Sequence, residues 1–528
     1  MSALPQSTQR AQRVALVSVL FVLSAAQSLG GEFPADGPAA ASFGFINWLV
    51  LFAYLAVLVF IGWRCARREK TTEHFFLGGR TIPWWAAGLS LFSTILSAIT
   101  YLAIPARAYA TDWTLLPVNL CVLLVAPVIV FKYLPVLRRE NITTVYQFLE
   151  KRFDRSIQLF GSASFILFQL GRMGIVLLLP ALALSAVTGI ALFLCIALMG
   201  LLATLYTVLG GIEAVIWTDV LQTFVLLGGA LAALVLIVGR LEGGFTDLLD
   251  IAKAANKFHW VNLDASLITD SLLVVLLGGI FTNALVPYSS DQTVVQRYLT
   301  TPDEGAARRS LWLGALMVLP ATVLFLSLGT ALFVFYGQHP GALTELASNE
   351  QILPWFIATQ MPAGLAGLVI AGVFAAAMSS LDSSMHSIAT SVVTDWLKPT
   401  GRPRAEAGWL RLARRITLVA GLFGTATAAA LATMEIKLMW DYFLGLMGLL
   451  GGTLAGAMAV AVFLNGVGVR QLWLGIGAAV AALLFVRFRT GTNPLLLGFI
   501  GVATVVAVSW LASLVPFARR EPGKPRTG

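Results

Sequence analysis

From residue 44 to residue 515 the chain is an almost unbroken succession of apolar stretches, each long enough to cross a bilayer as a helix. They fall at about 44–63, 83–110, 113–136, 156–187, 190–209, 214–240, 272–292, 309–336, 356–394, 413–432, 440–464, 471–486 and 494–515. In lipid every backbone polar group must be satisfied internally, so apolar spans repeated at this length fold as helices. Hydrophobic residues make up 58% of the chain and charged ones 12%, with mean hydropathy +0.84; a soluble domain carries about 25% charge. The expected fold class is an all-α polytopic membrane protein with about thirteen transmembrane helices.

The net charge of +9 does not indicate nucleic acid, because the basic residues gather at span ends, as in cytoplasmic loops. With residue 44 placed outside, the inner loops hold Arg64, Arg67, Arg138, Arg139, Lys151, Arg152, Arg297, Arg308, Arg309, Lys398, Arg411, Arg414 and Arg415. The tail, 516–528, holds Arg519, Arg520, Lys524 and Arg526. The outer loop 337–355 has no Lys or Arg. The asymmetry predicts N-out, C-in, against which Arg487 and Arg489 stand. Residues 1–43 begin with Arg10 and Arg13 ahead of VALVSVLFVLSAAQS and read as a signal peptide or an extra N-terminal helix. Cys65, Cys121 and Cys195 are far apart and predict neither a disulfide nor a metal site. No phosphate loop, nucleophile triad or zinc spacing is present, so an enzyme is not expected; nor is a sensor, which needs an output module.

One span breaks the pattern of a lipid-facing helix. WWAAGLSLFSTILSAITYLAIPARAY, Trp84 to Tyr109, carries Ser93, Thr94, Ser97 and Thr100 at what is membrane depth, and Pro105 and Arg107 near its end. A helix interrupted at mid-membrane has a use for such a centre, since its freed carbonyls and amides can hold an ion and a solute.

Three other spans carry charge. In MSSLDSSMHS, Ser379, Asp382, Ser383 and His386 stand at i, i+3, i+4 and i+7 and share a helix face. Hydroxyls and a carboxylate on one stripe suit a small hard cation; the bland alternative is serine bonding back to its own helix. Arg172 lies about sixteen residues into its span, roughly 24 Å along a helix, too deep to snorkel. It either pairs with a structural acid or faces an anionic solute, whose carboxylate a guanidinium grips with two bonds. Asp219, in GGIEAVIWTDVLQT, is either a cation ligand or a partner for a neighbouring helix end.

GGIEAVIWTDVLQT resembles the signature of the sodium/solute symporter family. SSLDSSMHS with VVTDWLKP, DQTVVQRYLT and GRTIPWWAAGLSLFSTILSA resemble further family stretches, in the same order, and the likeness covers residues 44 to 515. The resemblance implies a LeuT-like 5+5 inverted repeat: one transporter domain, 44–515, with repeat one at about 83–240, repeat two at about 272–464 and the helix 44–63 in front. It implies a conserved sodium ligated by the carbonyls of Ser93, Leu96 and Ala376 and the hydroxyls of Ser379 and Ser380.

Within the family the chain looks most like bacterial sodium–sialic acid symporters. That likeness assigns Arg172, Ser97 and Thr100 to the substrate carboxylate, with Asn119 where those transporters have Gln, a shorter reach. It also implies a second sodium site at Asp219, Ser379 and Ser383, with Asp382 replacing a serine; two carboxylates there either hold a cation more tightly or share a proton. The expected function is therefore sodium-coupled import of an organic anion, sialic acid or a related carboxylated sugar, through the cell membrane. RMGIVLLLPALALSAVTG and SAITYLAIPARAY resemble the monocarboxylate branch too, which keeps a monocarboxylate or a neutral sugar as the runner-up. The expected partners are Na+, the anionic solute and membrane lipid.

Overall fold

The structure is a computed structural model that describes residues 44–67, 71–96, 98–343, 346, 349–401, 404–434 and 447–515; the side chains of 98–100 and 186–188 fall outside the description. The predicted N-terminal segment 1–43 and the tail 516–528 lie outside the described residues, as does the start of the expected 440–464 span. Among the described residues, nine helices are long and apolar enough to cross a membrane.

The leading helix α1 (Phe45–Ala66) is followed by the short α2 (Thr72–Leu77), then α3 (Trp84–Ile95) and α4 (Ala98–Ala110). These last two are the halves of the hydroxyl-bearing span, so the interruption expected there exists. The final helical bond of α3 runs from Leu96 N–H to Phe92 O, 2.9 Å, and Leu96 then leaves the helix at φ −76°, ψ 85°. Next come α5 (Leu116–Arg139), α6 (Val145–Arg152) and α7 (Arg155–Thr188), the last started by the Asp154 carboxylate, which accepts from Ile157 N–H at 3.0 Å.

Helix α8 (Leu192–Val238) has 47 residues. Unbroken it would run about 70 Å, more than twice the hydrocarbon thickness of a bilayer. It turns at Gly211, φ 54° and ψ −150°, where a Cβ would sit 2.7 Å from the Phe75 carbonyl. Only glycine takes that backbone at that approach, and the turn falls between the two spans read at 190–209 and 214–240.

The remaining elements are α9 (Gly244–Ala254), α10 (Leu272–Ser290), α11 (Gln292–Leu299), α12 (Glu304–Gln338), α13 (Ile352–Gln360), α14 (Leu365–Ser391), α15 (Glu406–Leu431), α16 (Met447–Phe463), α17 (Val469–Arg489) and α18 (Leu497–Leu514). The span read as one piece at 356–394 is two helices: Pro362 and Gly364, at φ 87°, part α13 from α14.

Helix α14 is the axle. Its apolar window is 89% buried, against 33% for α1 and 28% for α17, and it packs against α1, α3, α4, α7, α8, α11 and α15. Small residues allow this: Ala371, Gly372 and Ala375–Ala377 let neighbouring backbones close on it. At the end of α4, Lys257 donates to the carbonyls of Tyr109 (2.7 Å) and Thr111 (2.8 Å) and lies over the Phe333 ring at 4.0 Å. An ammonium on C-terminal carbonyls caps the second half of the broken helix; burial pushes Lys257 down from the usual lysine range.

Candidate functional site

Helix α14, which carries the serine-rich stretch, packs on both halves of the broken helix. The last turn of α3 leaves carbonyls without helical partners, and Ser93 and Leu96, both buried, supply two of them. On α14, Ala376, Ser379 and Ser380 are also buried. The Ser379 hydroxyl donates to Ala376 O at 3.3 Å, whereas the Ser380 hydroxyl has no partner. Freed carbonyls and an unsatisfied buried hydroxyl on two packed helices are donors of the kind a sodium ion takes. Thr94, one of the hydroxyls that flagged this span, donates instead to Ser90 O at 2.8 Å within its own helix. Ser97 lies outside the described residues; Thr100 is helical in α4, with its side chain outside the description.

Arg172 is buried midway along α7, which packs on α4 and α14. The acid whose field reaches it is Asp291, but no ion pair or hydrogen bond joins the two. Asp291 is committed elsewhere: it caps α11 by accepting from Thr293 N–H (2.8 Å) and hydroxyl (2.6 Å), and takes the Gln169 amide at 3.2 Å. Among the described residues no group hydrogen-bonds the Arg172 guanidinium and no acid forms an ion pair with it. Asn119, on α5, accepts weakly from the Asn283 amide at 3.4 Å.

The second cluster differs from expectation. Arg297 was counted among inner-loop charges; it is fully buried in α11. Its Nη2 pairs with Asp219 Oδ2 at 3.1 Å, its Nε donates to Ser90 Oγ at 3.0 Å, and it also donates to Ser383 Oγ and Thr293 O. Ser90 donates in turn to Asp219 Oδ2 at 2.5 Å. A guanidinium thus stands between Asp219 and Ser383, two of the residues expected to share a sodium. Asp382 accepts from the Tyr206 hydroxyl at 2.6 Å and from Ser383 Oγ at 3.1 Å. The missed signal was in DQTVVQRYLT: all eight residues of α11 are buried, and a polar run with Gln292, Gln296 and Arg297 does not bury itself without acids to meet. His386 is a core histidine, its Nε2 2.8 Å from Phe75 O. Among the described residues no three His, Cys, Asp or Glu gather as for a transition metal; the oxygen-rich sets here suit alkali cations.

Residues 75–470 match the model of the sodium:solute symporter family. The chain belongs to that family. The symporter is 38% identical over 474 residues to the sodium/sialic acid symporter NanT of Aliivibrio fischeri, covering 90% of this chain and 94% of that one. It is 37% identical over 468 residues to the sodium/sialic acid symporter SiaT of Proteus mirabilis, covering 88% and 94%. It superposes with TM-score 0.85 and 35% identity on the substrate-bound outward-open state of a Na+-coupled sialic acid symporter, covering 91% of this chain and all of that one. The symporter is a multi-pass membrane protein and a transporter, not an enzyme.

Proposed function

We propose that the protein imports a sialic acid, or a related carboxylated sugar, by coupling it to sodium entry through the cell membrane, the inner membrane in a Gram-negative cell. The observation that carries this reading is Arg172: a buried guanidinium with which no acid pairs among the described residues, on a helix packed against α4, just past the break. Such a charge is expensive in a bilayer unless an anion meets it, and a carboxylate accepts two parallel bonds from it. A neutral sugar has no use for it. The weight of the likeness to sialic acid symporters favours that branch over the monocarboxylate one.

In this reading sodium sits on the carbonyls of Ser93, Leu96 and Ala376 and the hydroxyls of Ser379 and Ser380, and holds α3 and α4 in their broken shape. The start of α4 then presents Ser97 and Thr100 to the carboxylate beside Arg172, and Asn119 meets another part of the solute. When sodium leaves inward the α4 end loses its support and the solute follows. Where Arg297 bridges Asp219 and Ser383, the Asp219–Asp382 pair either takes a second cation or shares a proton; with one sodium per monoanion no net charge moves, and with two the membrane potential contributes about 2.3 kcal/mol per 100 mV.

The architecture proposed around this site is one domain, 44–515, with about thirteen crossings, N-out and C-in, and repeats at about 83–240 and 272–464. Withdrawing Arg297 from the inner loops leaves the basic excess there intact. The test is uptake of radiolabelled sialic acid into proteoliposomes. An inward sodium gradient drives accumulation if the reading is right; accumulation of lactate or galactose but not sialic acid, or none that depends on sodium, rejects it.

A further inference from the structure

A buried polar seam runs between α14 and α7, and none of the expected sodium or solute residues lies at its inner end. On α14 and the π-helical turn that continues it (Val392–Leu397), Ser380, Ser384, Ser387, Ser391 and Asp395 recur at steps of three or four residues and so share a face. On α7, Gln158, Ser162, Phe165, Gln169 and Arg172 do the same. All of these side chains are buried, and the two helices pack on each other. Ser384 Oγ donates to Gln169 Oε1 at 2.8 Å, and Gln158 Nε2 donates to Asp395 Oδ1 at 3.1 Å. The two cross-links are 11 residues apart on each helix and in opposite order. The faces are therefore antiparallel and in register. That register sets Ser391 opposite Ser162 and brings Ser380 about level with Arg172. The seam thus leads from the depth of the solute and sodium residues to the inner end of α14.

Three oxygens along it complete no hydrogen bond of normal length and angle: Ser380 Oγ at the upper end, Ser391 Oγ and Asp395 Oδ2 at the lower. Asp395 Oδ1 is engaged, accepting from the Thr144 hydroxyl at 2.6 Å as well as from Gln158. Arg155 stands at the inner mouth and donates to the Asp395 carbonyl and to Gln158 Oε1. Its own ion-pair partner is Glu150, at 3.7 Å. Among the described residues no cation pairs with the Asp395 carboxylate. A buried carboxylate with a free oxygen, one turn from a hydroxyl without a partner, is costly unless something meets both. Carboxylate and hydroxyl oxygens suit a hard cation, and a single uncompensated charge suits a monovalent one. The wider π turn that carries Asp395 is a feature common at functional sites.

We propose that sodium leaves toward the cytoplasm along this seam, stepping from the Ser380 end to a transient site at Ser391 Oγ and Asp395 Oδ2. Between the two ends the Ser384 and Ser387 hydroxyls, which donate to Gln169 and Gln296, offer their lone pairs to the passing ion. Arg155 closes the inner mouth and withdraws when the cytoplasmic side opens. This inference rests on the reading that sodium is the coupling ion and Ser380 one of its ligands.

Two variants of the full-length protein test it. Asp395→Asn keeps an oxygen for Thr144 and Gln158 but sets N–H groups where the cation would pass. Ser391→Ala removes a hydroxyl that no other group holds, so it answers where Asp395→Asn folds poorly. Two transport modes are compared in proteoliposomes. Net uptake of sialic acid down an inward sodium gradient ends every cycle with sodium release. Counterflow of sialic acid with equal sodium on both faces exchanges solute while sodium stays bound. Net uptake is expected to slow roughly tenfold in Asp395→Asn and by less in Ser391→Ala. Counterflow, and the thermal stabilisation that sodium chloride gives over N-methylglucamine chloride, are expected to stay close to the wild type. Equal slowing of both modes, wild-type net uptake in both variants, or loss of the sodium stabilisation overturns the release path and leaves sodium-coupled import standing. A wild type that accumulates no sialic acid with sodium overturns the transport reading and the path together.

Discussion

Arg297 and Asp219 form an ion pair at 3.1 Å with neither side chain reaching solvent. The pair ties α11 to the second half of α8, and Ser90 brings in α3. A buried pair gains little over an apolar substitute, but breaking it from one side strands a charge and costs about 3–5 kcal/mol. Arg297→Met is therefore expected to lower Tm strongly in sodium-free buffer, and Arg297→Met with Asp219→Asn to recover a large part of the loss. A double-mutant cycle in Tm measures the coupling; simple additivity would contradict a direct pair.

What could be read from the chain, and what could not, divides by distance along it. The interruption of the Trp84–Tyr109 span was legible because four hydroxyls in an apolar run are a local signal. The division between 190–209 and 214–240 was legible as a gap between two apolar spans, and the structure puts a turn at Gly211 inside that gap. Arg172 was legible as a charge too deep to snorkel, with a structural pair and an anionic solute both open; the structure adds that Asp291 is taken by Gln169 and Thr293. Arg297 was misread because a basic residue at a span end satisfies the positive-inside count, and its acid is 78 positions away.

Arg172 makes a second prediction. Arg172→Gln is expected to cut uptake of the anion roughly 10- to 100-fold, the loss of a charge-assisted bond worth about 1.5–3 kcal/mol. Arg172→Lys is expected to rescue poorly, because an ammonium cannot reproduce the two-point grip. Both variants should keep the thermal stabilisation that sodium alone gives the wild type. Loss of that stabilisation together with uptake would make Arg172 a structural residue.

The unsatisfied Ser380 hydroxyl makes a third. Ser380→Ala removes a proposed sodium ligand and leaves no buried partner stranded, so the fold should hold. The expected result is a roughly tenfold rise in the sodium concentration for half-maximal uptake, as for loss of a metal contact, with uptake recovering at high sodium. An unchanged half-saturation would remove Ser380 from the ion's ligands.

Gly211 is a backbone requirement rather than a chemical one. At φ 54°, ψ −150° a side chain is strained, and its Cβ would meet the Phe75 carbonyl at 2.7 Å. Gly211→Ala should destabilise by about 1–3 kcal/mol from backbone strain, before the clash is counted. Gly228, whose Cβ would meet nothing within 4 Å, is the comparison: Gly228→Ala should leave Tm close to the wild type. Equal Tm values for the two variants would contradict the turn.

Outside the membrane, Glu406 at the start of α15 accepts from Thr72 N–H at 2.7 Å and Thr72 Oγ1 at 2.6 Å. The Thr72 hydroxyl and amide hold its carboxyl below the usual glutamate value of 4.5, with Lys398 adding a smaller push in the same direction. A carboxyl depressed in the folded state stabilises the fold above its unfolded pKa and stops doing so as pH falls through the folded value. The tie between α2 and α15 is therefore complete at neutral pH and disappears in the acid range below about 4.5. Glu406→Gln should lower Tm at pH 7 by a small amount, since the group is exposed and solvent screens it. The Tm difference between variant and wild type should shrink as both are titrated toward pH 3; a difference that stays constant or grows in acid would mean that the carboxylate charge contributes nothing to this joint.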